Sequence, residues 1–424
     1  MKLKIKPLWI ILFTIFIDLL GLGILVPVIP LLLADPHSAY YLLPKNISLS
    51  QGYILVGFLT ATFSIMQFLA APILGQLSDQ WGRKKIIAIS LSGTTISYFL
   101  FGIGILTKNI PLLFISRAFD GITAGAIAAA QAAIADITPP EKRVKNYGLM
   151  SAAFSLGIIA GPFLGGRLSD PTLVGWFDAA TPFWFAWILS LLNVISIIFF
   201  FPETLKFISK DTRIYFTRSI SNIVKAFSLN KFKAVFLTIF LYTGGFAFFI
   251  TLFSVFLIER FSFSQKNIGD LFAYLGIWGI ITQAIIVGFV ARYFKEYTVI
   301  KYGIFISGLF VFIFYIPSSW VWLLLIVPLF SIFNGLAGTN ITALLSKMAS
   351  VKIQGRIMGI NASVQALAFS FPPVISGLVA ARTSPETTIL VSSIIVIISG
   401  ILFSVLYKPL RIDSSQRTEA HPFS

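Results

Sequence analysis

Residues 75–85 read Gly75-Gln76-Leu77-Ser78-Asp79-Gln80-Trp81-Gly82-Arg83-Lys84-Lys85, a charged stretch between two long apolar runs, 51–75 and 86–106. A helix needs about 20 apolar residues to cross the roughly 30 Å hydrocarbon layer of a bilayer, and each run is long enough. Backbone polar groups must be satisfied inside that layer, so a charged, glycine-containing stretch belongs at its surface. The stretch therefore predicts a tight turn between two membrane-spanning helices.

The composition of the chain extends this prediction to the whole protein. Of 424 residues, 57% are hydrophobic and only 11% are charged, and the mean hydropathy is +0.90. A soluble domain carries about 25% charged residues, so we expect an integral membrane protein. The net charge of +16 does not indicate a nucleic-acid partner, because the cations are scattered over short loops. The chain has no cysteine, which excludes disulfides and thiol chemistry.

The apolar segments predict an all-α protein with twelve spans. They are 8–33, 51–75, 86–106, 111–135, 147–169, 182–201, 232–258, 267–290, 298–316, 320–345, 356–380 and 388–407. The longest polar connection divides them six and six. We therefore predict one six-helix bundle in 1–201, a cytoplasmic linker in 202–231, a second bundle in 232–407 and a cytoplasmic tail in 408–424.

The positive charges predict the orientation in the membrane. If the amino terminus is cytoplasmic, 25 of the 32 Lys and Arg residues fall on the cytoplasmic side. The positive-inside rule then places both termini in the cytoplasm. The first apolar run is too long for a signal-peptide core and is interpreted as a retained span. We predict a multi-pass protein of the cell membrane, the bacterial inner membrane in particular.

Three motifs resemble those of the major facilitator superfamily. The 75–85 stretch resembles its signature loop, and Arg117-Ala118-Phe119-Asp120-Gly121 resembles its fourth-helix motif. Gly157-Ile158-Ile159-Ala160-Gly161-Pro162-Phe163-Leu164-Gly165-Gly166 resembles the fifth-helix motif of antiporters. The chain is most similar to the drug/proton antiporter branch and to tetracycline exporters. This resemblance implies two pseudo-symmetric six-helix bundles that transport by alternating access. Unlike tetracycline exporters as a group, the third span lacks an acidic residue.

Three charged residues lie more than five residues from either end of a predicted span and are candidates for proton coupling: Asp18, Arg117 and Asp120. A charge deep in a bilayer costs at least about 2.5 kcal/mol and indicates a functional site. Arg117 and Asp120 lie three residues apart on one helical face, so they either pair with each other or Arg117 bonds to another helix and leaves Asp120 titratable. Asp18 has no cation in its own span. It is suited to carry a proton, or else it anchors the first helix through hydrogen bonds.

Two glycine-containing motifs predict structural roles. In the cytoplasmic gate loop, Gly75 and Gly82 would permit a tight turn and close helix approach. Asp79 would accept hydrogen bonds or pair with a cation of a neighbouring helix, and Arg83 would donate to a carboxylate or a helix end. The alternative is that the cations there only fix topology. In the antiporter motif, the small residues predict close helix packing, and the resemblance implies a seal against leakage; its residues are Gly157, Gly161, Pro162, Gly165 and Gly166.

Uncharged polar residues in the spans are candidates for the substrate cavity, although hydrogen bonding between helices is their commoner use. They are Gln67, Gln131, Asn193, Gln283, Asn334, Asn361 and Gln365. The sequence around Gln67 and Gln283 also matches the exporter pattern. With 43 phenylalanines available, an aromatic pocket for amphipathic compounds is expected.

The sequence therefore predicts a proton-coupled antiporter that exports an amphipathic small molecule, such as a drug, a tetracycline-like compound or a siderophore. The alternative is an uptake transporter or facilitator on the same fold. The only histidines, His37 and His421, lie in a loop and the tail, and no HExxH or phosphate-binding GxxxxGK[ST] motif is present, which argues against an enzyme or an ATP-driven pump. The expected partners are the substrate, protons and the lipid bilayer, with no metal or cofactor and a monomeric state.

Overall fold

The computed structural model describes residues 7–139, 142–205, 214–350 and 353–407, and these ranges contain helices and no strands. The predicted tail 408–424, part of the predicted linker and the cations before residue 7 lie outside the described residues. The predicted twelve spans are confirmed. In the described ranges spans 1 to 12 are, in order, Pro7–Leu33, Leu49–Trp81, Arg83–Leu106, Ile110–Ile137, Arg143–Leu168, Thr181–Phe200, Asn230–Phe261, Gln265–Tyr293, Glu296–Ile313, Trp320–Met348, Gln354–Arg382 and Pro385–Leu406.

Several spans are not continuous α-helices. Span 4 consists of Ile110–Thr123 and Ala126–Ile137, and span 11 consists of Gln354–Ser370 and Pro372–Arg382. Span 8 contains a single π-helical turn, Thr282–Ile286. Such turns occur frequently at functional sites. Span 10 begins with a 3₁₀ turn, Trp320–Trp322, before Leu323–Met348.

A further helix, Arg218–Ser228, precedes span 7 and is called the linker helix below. It lies in the connection between spans 6 and 7, for which the sequence analysis predicted no helix. The end of the protein that carries this helix is called the linker side, and the other end the opposite side.

Several helices that begin on the opposite side have side-chain caps. Examples are Ser48, which forms a capping box with Gln51, and Asn109, Ser264 and Ser384.

The turn between spans 2 and 3 is shorter than predicted. Span 2 stays helical to Trp81 and span 3 begins at Arg83, so the turn consists of Gly82 alone, with φ of +99°. Only glycine adopts such a conformation readily. Gly75 lies inside the helix, and a Cβ there would meet nothing within 4 Å. The prediction that Gly75 supports a turn or a close helix approach is therefore wrong, whereas the prediction for Gly82 holds.

The helices pack as two six-span groups that meet along two seams. In the first group span 1 packs on span 5, span 3 on span 6, and span 4 on spans 2 and 3. In the second group span 7 packs on span 12, and span 9 on spans 10 and 12. The groups meet where span 5 contacts span 8 and where span 2 contacts span 11. Each group has its own buried apolar clusters, as expected for two bundles around a central cavity.

The glycines of span 5 allow the helices to approach at backbone distance. A Cβ on Gly157, Gly161 or Gly165 would lie 2.5 to 2.7 Å from a carbonyl oxygen of span 1. A Cβ on Gly166 would lie 2.3 Å from the carbonyl oxygen of Gln265 in span 8. The close packing predicted from the small residues is therefore present, and it joins span 5 to both groups.

Replacing Gly161 with Ala is expected to destabilise the protein by about 1–3 kcal/mol, because the added methyl group forces spans 1 and 5 apart. The measurement is thermal unfolding of the purified protein in detergent. Gly148 lies in the same helix, and a Cβ there meets nothing within 4 Å. Gly148→Ala is the control and is expected to leave the stability unchanged or to raise it by up to about 1 kcal/mol. Equal effects of the two variants would contradict the packing argument.

Candidate functional site

A buried charged cluster lies inside the first bundle. The exposed fractions of Asp18, Arg117 and Asp120 are 7%, 5% and 4%. Arg117 Nη1 lies 2.7 Å from Asp120 Oδ2, and its guanidinium stands 4.4 Å from the centre of the Phe63 ring. Of the two arrangements left open by the sequence, the structure shows the local Arg117–Asp120 pair. Asp18 and Asp120 interact electrostatically across spans 1 and 4.

Tyr98 of span 3 completes this cluster. It is 4% exposed, and its hydroxyl group lies over Gly21, where a Cβ would be only 1.5 Å away. Gly21 follows Asp18 by three residues and thus shares its helical face. Tyr98 interacts electrostatically with both aspartates. The cluster therefore contains two carboxyl groups, one guanidinium and one phenol. Sequence reasoning missed Tyr98, because an uncharged aromatic residue in an apolar span carries no local signal.

The cluster has a simple charge balance. With both carboxylates ionised, Asp18, Arg117 and Asp120 carry a net charge of −1, and one bound proton makes the cluster neutral. A net charge is costly in a dehydrated protein interior, whereas a neutral hydrogen-bonded group is tolerated. The arrangement can therefore bind and release one proton as its exposure to water changes.

The gate residues form a network within the first bundle. Arg83 Nη2 lies 2.6 Å from Asp79 Oδ1, and its Nε lies 3.3 Å from Asp136 Oδ2 at the end of span 4. Its Nη1 donates to Ser78 Oγ at 2.8 Å. Asp79 of span 2 thus pairs with Arg83, the first residue of span 3 and therefore a cation of the neighbouring helix.

Glu203 caps the turn at Gly82. Its carboxylate accepts hydrogen bonds from the backbone N–H groups of Arg83 at 2.9 Å and Lys84 at 3.2 Å, at the first turn of span 3. A carboxylate at a helix N-terminus is favoured by the helix dipole. Glu203 and Asp136 were not identified in the sequence analysis, because each is distant in sequence from the stretch that it contacts.

A pocket of about 270 Å³ lies in the second bundle between spans 7, 8 and 10. No side chain that lines it carries a charge; the lining residues are Tyr242, Thr243, Phe246, Gln283, Asn334, Gly335, Gly338 and Thr339. Tyr242 Oη donates to Asn334 Oδ1 at 2.5 Å. Gln283 lies in the π-helical turn of span 8. The structure thus brings together two of the predicted cavity residues, Gln283 and Asn334.

The other predicted polar residues do not line this pocket. Gln67 and Gln365 are half-buried in spans 2 and 11, and Gln131 is exposed. Asn361 is 4% exposed, and its Oδ1 has no hydrogen-bond partner among the described residues. Asn193 is fully buried and donates to Thr14 Oγ1 at 3.1 Å. Asn193 therefore serves the bonding between helices that was the alternative interpretation.

The two bundles are bonded to each other on the opposite side. Arg167 at the end of span 5 makes an ion pair with Asp270 of span 8, with Nη2 3.0 Å from Oδ1. Tyr53 of span 2 donates to the carboxylate of Glu259 in span 7. Between spans 2 and 11, a Cβ on Gly57 would lie 2.4 Å from the Pro373 carbonyl oxygen. The opposite side is therefore closed.

On the linker side, spans 5 and 8 separate. The extensive packing of span 8 on span 5 involves Gln265–Ile281, whereas Val287–Tyr293 packs on span 10. None of the residues 283–293 is buried. Spans 5 and 8 are thus packed together on the opposite side and separated on the linker side, whereas span 2 also contacts the linker-side part of span 11, Gln354–Ser370. Among the described residues, no group of three or more His, Asp and Glu is placed to hold a metal ion.

Comparisons with known proteins agree with this architecture. The chain is 32% identical over 379 residues to multidrug resistance protein 1 of Bacillus subtilis, covering 89% of this chain and 90% of that protein. It is 31% identical over 382 residues to the class C tetracycline resistance protein of Escherichia coli, with 89% and 91% coverage. It is 28% identical to the quinolone resistance protein NorA of Staphylococcus aureus, with 88% and 89% coverage.

Solved structures share the fold. The human organic anion transporter MFSD10 (TETRAN) matches with a TM-score of 0.69 and 22% identity, over 93% of this chain and 98% of that one. A D-xylose–proton symporter matches with a TM-score of 0.72 and 16% identity, over 95% and 98%. The family model of the Major Facilitator Superfamily matches residues 11–371 and 235–423. The chain therefore belongs to the Major Facilitator Superfamily, as a multi-pass membrane transport protein and not an enzyme.

Proposed function

We propose that this protein is a proton-coupled antiporter that exports amphipathic small molecules, such as a drug, a tetracycline-like compound or a siderophore. Alternating access operates between the bundles 1–201 and 232–407, which the linker 202–231 joins. The names of the similar proteins, which are resistance proteins for several drugs, support export of this class. The linker side is the cytoplasmic side of a bacterial inner membrane, as the distribution of Lys and Arg favours.

The observation that carries this proposal is the buried cluster of Asp18, Tyr98, Arg117 and Asp120. Its two carboxyl groups and one cation change from charged to neutral with one proton. Asp18 is the proton carrier, since Arg117 already pairs with Asp120 at 2.7 Å. The proton gradient replaces any cofactor, and a monomer contains the complete site.

The neutral pocket of the second bundle holds the substrate. Amide and hydroxyl groups there bind polar atoms, and Phe246 offers an aromatic face. Asp79, Gly82 and Arg83 form the cytoplasmic gate together with Asp136 and Glu203. The glycines of span 5 seal the bundles against leakage where they contact spans 1 and 8.

The test uses inside-out vesicles that contain the wild type or Asp18→Asn. An acidified interior is monitored with a pH-sensitive dye, and ethidium, tetracycline or a catecholate siderophore is added. We expect at least one compound to release protons from the wild type and none to do so from the variant. Asp35→Asn, in the loop after span 1, is the matched control and keeps the activity. Substrate accumulation in intact cells without proton release in any vesicle would instead identify an uptake carrier.

Replacing Gln283 with Leu is expected to raise the KM for the transported compound about 3- to 10-fold, because one hydrogen bond in the pocket is lost. Gln131→Leu is the matched control, since Gln131 is exposed on span 4 and does not line the pocket. The measurement is the initial transport rate as a function of substrate concentration. An equal KM for the two variants would exclude Gln283 from the binding site.

A further inference from the structure

The linker helix exposes an apolar stripe. Phe216, Ile220 and Val224 are 70%, 55% and 61% exposed. Ile220 and Val224 lie four residues apart on one side of the helix, and Phe216 lies in the turn immediately before it. Only Leu229 separates this helix from span 7, so the helix lies at the boundary of the membrane. A contiguous apolar surface of this kind indicates an interaction site.

The other sides of the linker helix are held by the protein. Ser219 Oγ donates to the Phe68 carbonyl oxygen of span 2 at 2.5 Å. Asn222 Nδ2 donates to Ser363 Oγ of span 11 at 3.0 Å. Ala226 is fully buried and belongs to the apolar core of the second bundle. The helix is therefore fixed to both bundles in an orientation that leaves the stripe uncovered.

The charge around the stripe has one sign. Residues 213–233 contain five Lys and Arg residues and no Asp or Glu. Arg218 and Lys225 lie on one side of the helix, about 100–120° around from Val224, and therefore border the apolar stripe on that side. Lys231 Nζ donates to the Met348 carbonyl oxygen, which holds this cation at the same end of the bundle. Residues 214–233, all described in the structure, thus combine apolar side chains with cations and contain no Asp or Glu.

We propose that the linker helix docks on an anionic phospholipid leaflet. Phe216, Ile220 and Val224 insert at the boundary between head groups and acyl chains, and Arg218 and Lys225 contact the lipid phosphates. An amphipathic helix with cations beside its apolar face binds such an interface through both interactions. Because Ser219 and Asn222 attach the same helix to spans 2 and 11, the lipid surface contacts both bundles through one element.

The test measures whether lipid reaches the stripe. The chain has no cysteine, so Ile220→Cys and the control Ser221→Cys, which points about 100° away around the helix, each provide a single labelling site. The full-length variants are labelled with a fluorophore and reconstituted in vesicles with brominated acyl chains. The vesicles contain phosphatidylcholine alone or with phosphatidylglycerol. Val224→Cys gives the same readout if Ile220→Cys does not fold.

We expect bromolipid quenching at Ile220 to be at least about threefold stronger than at Ser221 and to increase with phosphatidylglycerol. High salt should reduce this increase, because it screens the attraction between cations and head groups. Arg218→Gln with Lys225→Gln should abolish the increase and leave the quenching in phosphatidylcholine. Quenching at Ile220 that is no stronger than at Ser221 would overturn the proposal, and weak quenching at both sites would indicate that another protein segment covers the stripe. Persistence of the increase in the double variant would exclude the anionic head group as the ligand.

Discussion

Arg117→Leu is expected to destabilise the protein by about 3–5 kcal/mol, because it leaves the carboxylate of Asp120 buried without its cation. The side chains of both residues are only 6% exposed, so water cannot replace the lost partner. The cation also balances Asp18, and its loss changes the net charge of the cluster from −1 to −2. We expect low yield of folded protein and a clearly lowered thermal unfolding temperature in detergent.

A double variant distinguishes the contribution of the Arg117–Asp120 pair to the stability of the protein from its role in transport. Arg117→Leu with Asp120→Leu removes both charges, and replacing a buried ion pair by apolar side chains is often neutral for stability. The double variant should therefore fold nearly as well as the wild type, although its proton release should remain impaired. A single Arg117→Leu variant with the unfolding temperature of the wild type would show that the pair is not buried as described.

Arg167→Asp is expected to open the opposite side. The substitution places two acidic residues where the Arg167–Asp270 ion pair now joins the bundles, so attraction becomes repulsion. Both side chains are about 40% exposed, which limits the electrostatic contribution to about 1 kcal/mol and the population shift to about fivefold. The readout is the reaction of Gln283→Cys with a membrane-impermeant thiol reagent added on the opposite side. That reaction should become faster, whereas reaction from the linker side should slow.

The charge-swapped double variant, Arg167→Asp with Asp270→Arg, is the control for this second prediction. It restores an ion pair of reversed direction and should return both reaction rates toward those of the single-cysteine parent. If the double variant is as accessible as Arg167→Asp alone, the pair does not close this side. Arg382→Asp, at the end of span 11, tests the effect of a charge reversal elsewhere and should change neither rate.

The number and order of the spans could be predicted because each rests on a local property, the length of an apolar run. The close packing at Gly161 and Gly165 was also predictable, since small residues four apart lie on one helical face. The span boundaries were less accurate. Residues 76–81 include Asp79 and three uncharged polar residues, yet span 2 remains helical through them, because a helix can extend beyond the hydrocarbon layer into water.

The contacts of the site depend on residues that are distant in sequence, and most were not predictable. The spacing of Arg117 and Asp120 allowed their pairing but did not select it. Tyr98 packs on the turn of span 1 that follows Asp18 only because Gly21 leaves room for its hydroxyl group. Glu203 caps span 3 from a position 120 residues away along the chain. The pocket was predicted in part: Gln283 and Asn334 line it, whereas Tyr242 was indistinguishable from other aromatic residues in an apolar span.

The one-residue turn at Gly82 couples the movement of span 2 to that of span 3. Span 2 has 33 residues and is thus about 50 Å long, so a tilt of about 10° would displace its end by about 9 Å. A turn of one residue is too short to absorb this displacement. Glu203 also bonds the first turn of span 3 to the chain just after span 6. When the end of span 2 on the opposite side pivots against span 11, spans 3 and 6 must therefore move together with span 2.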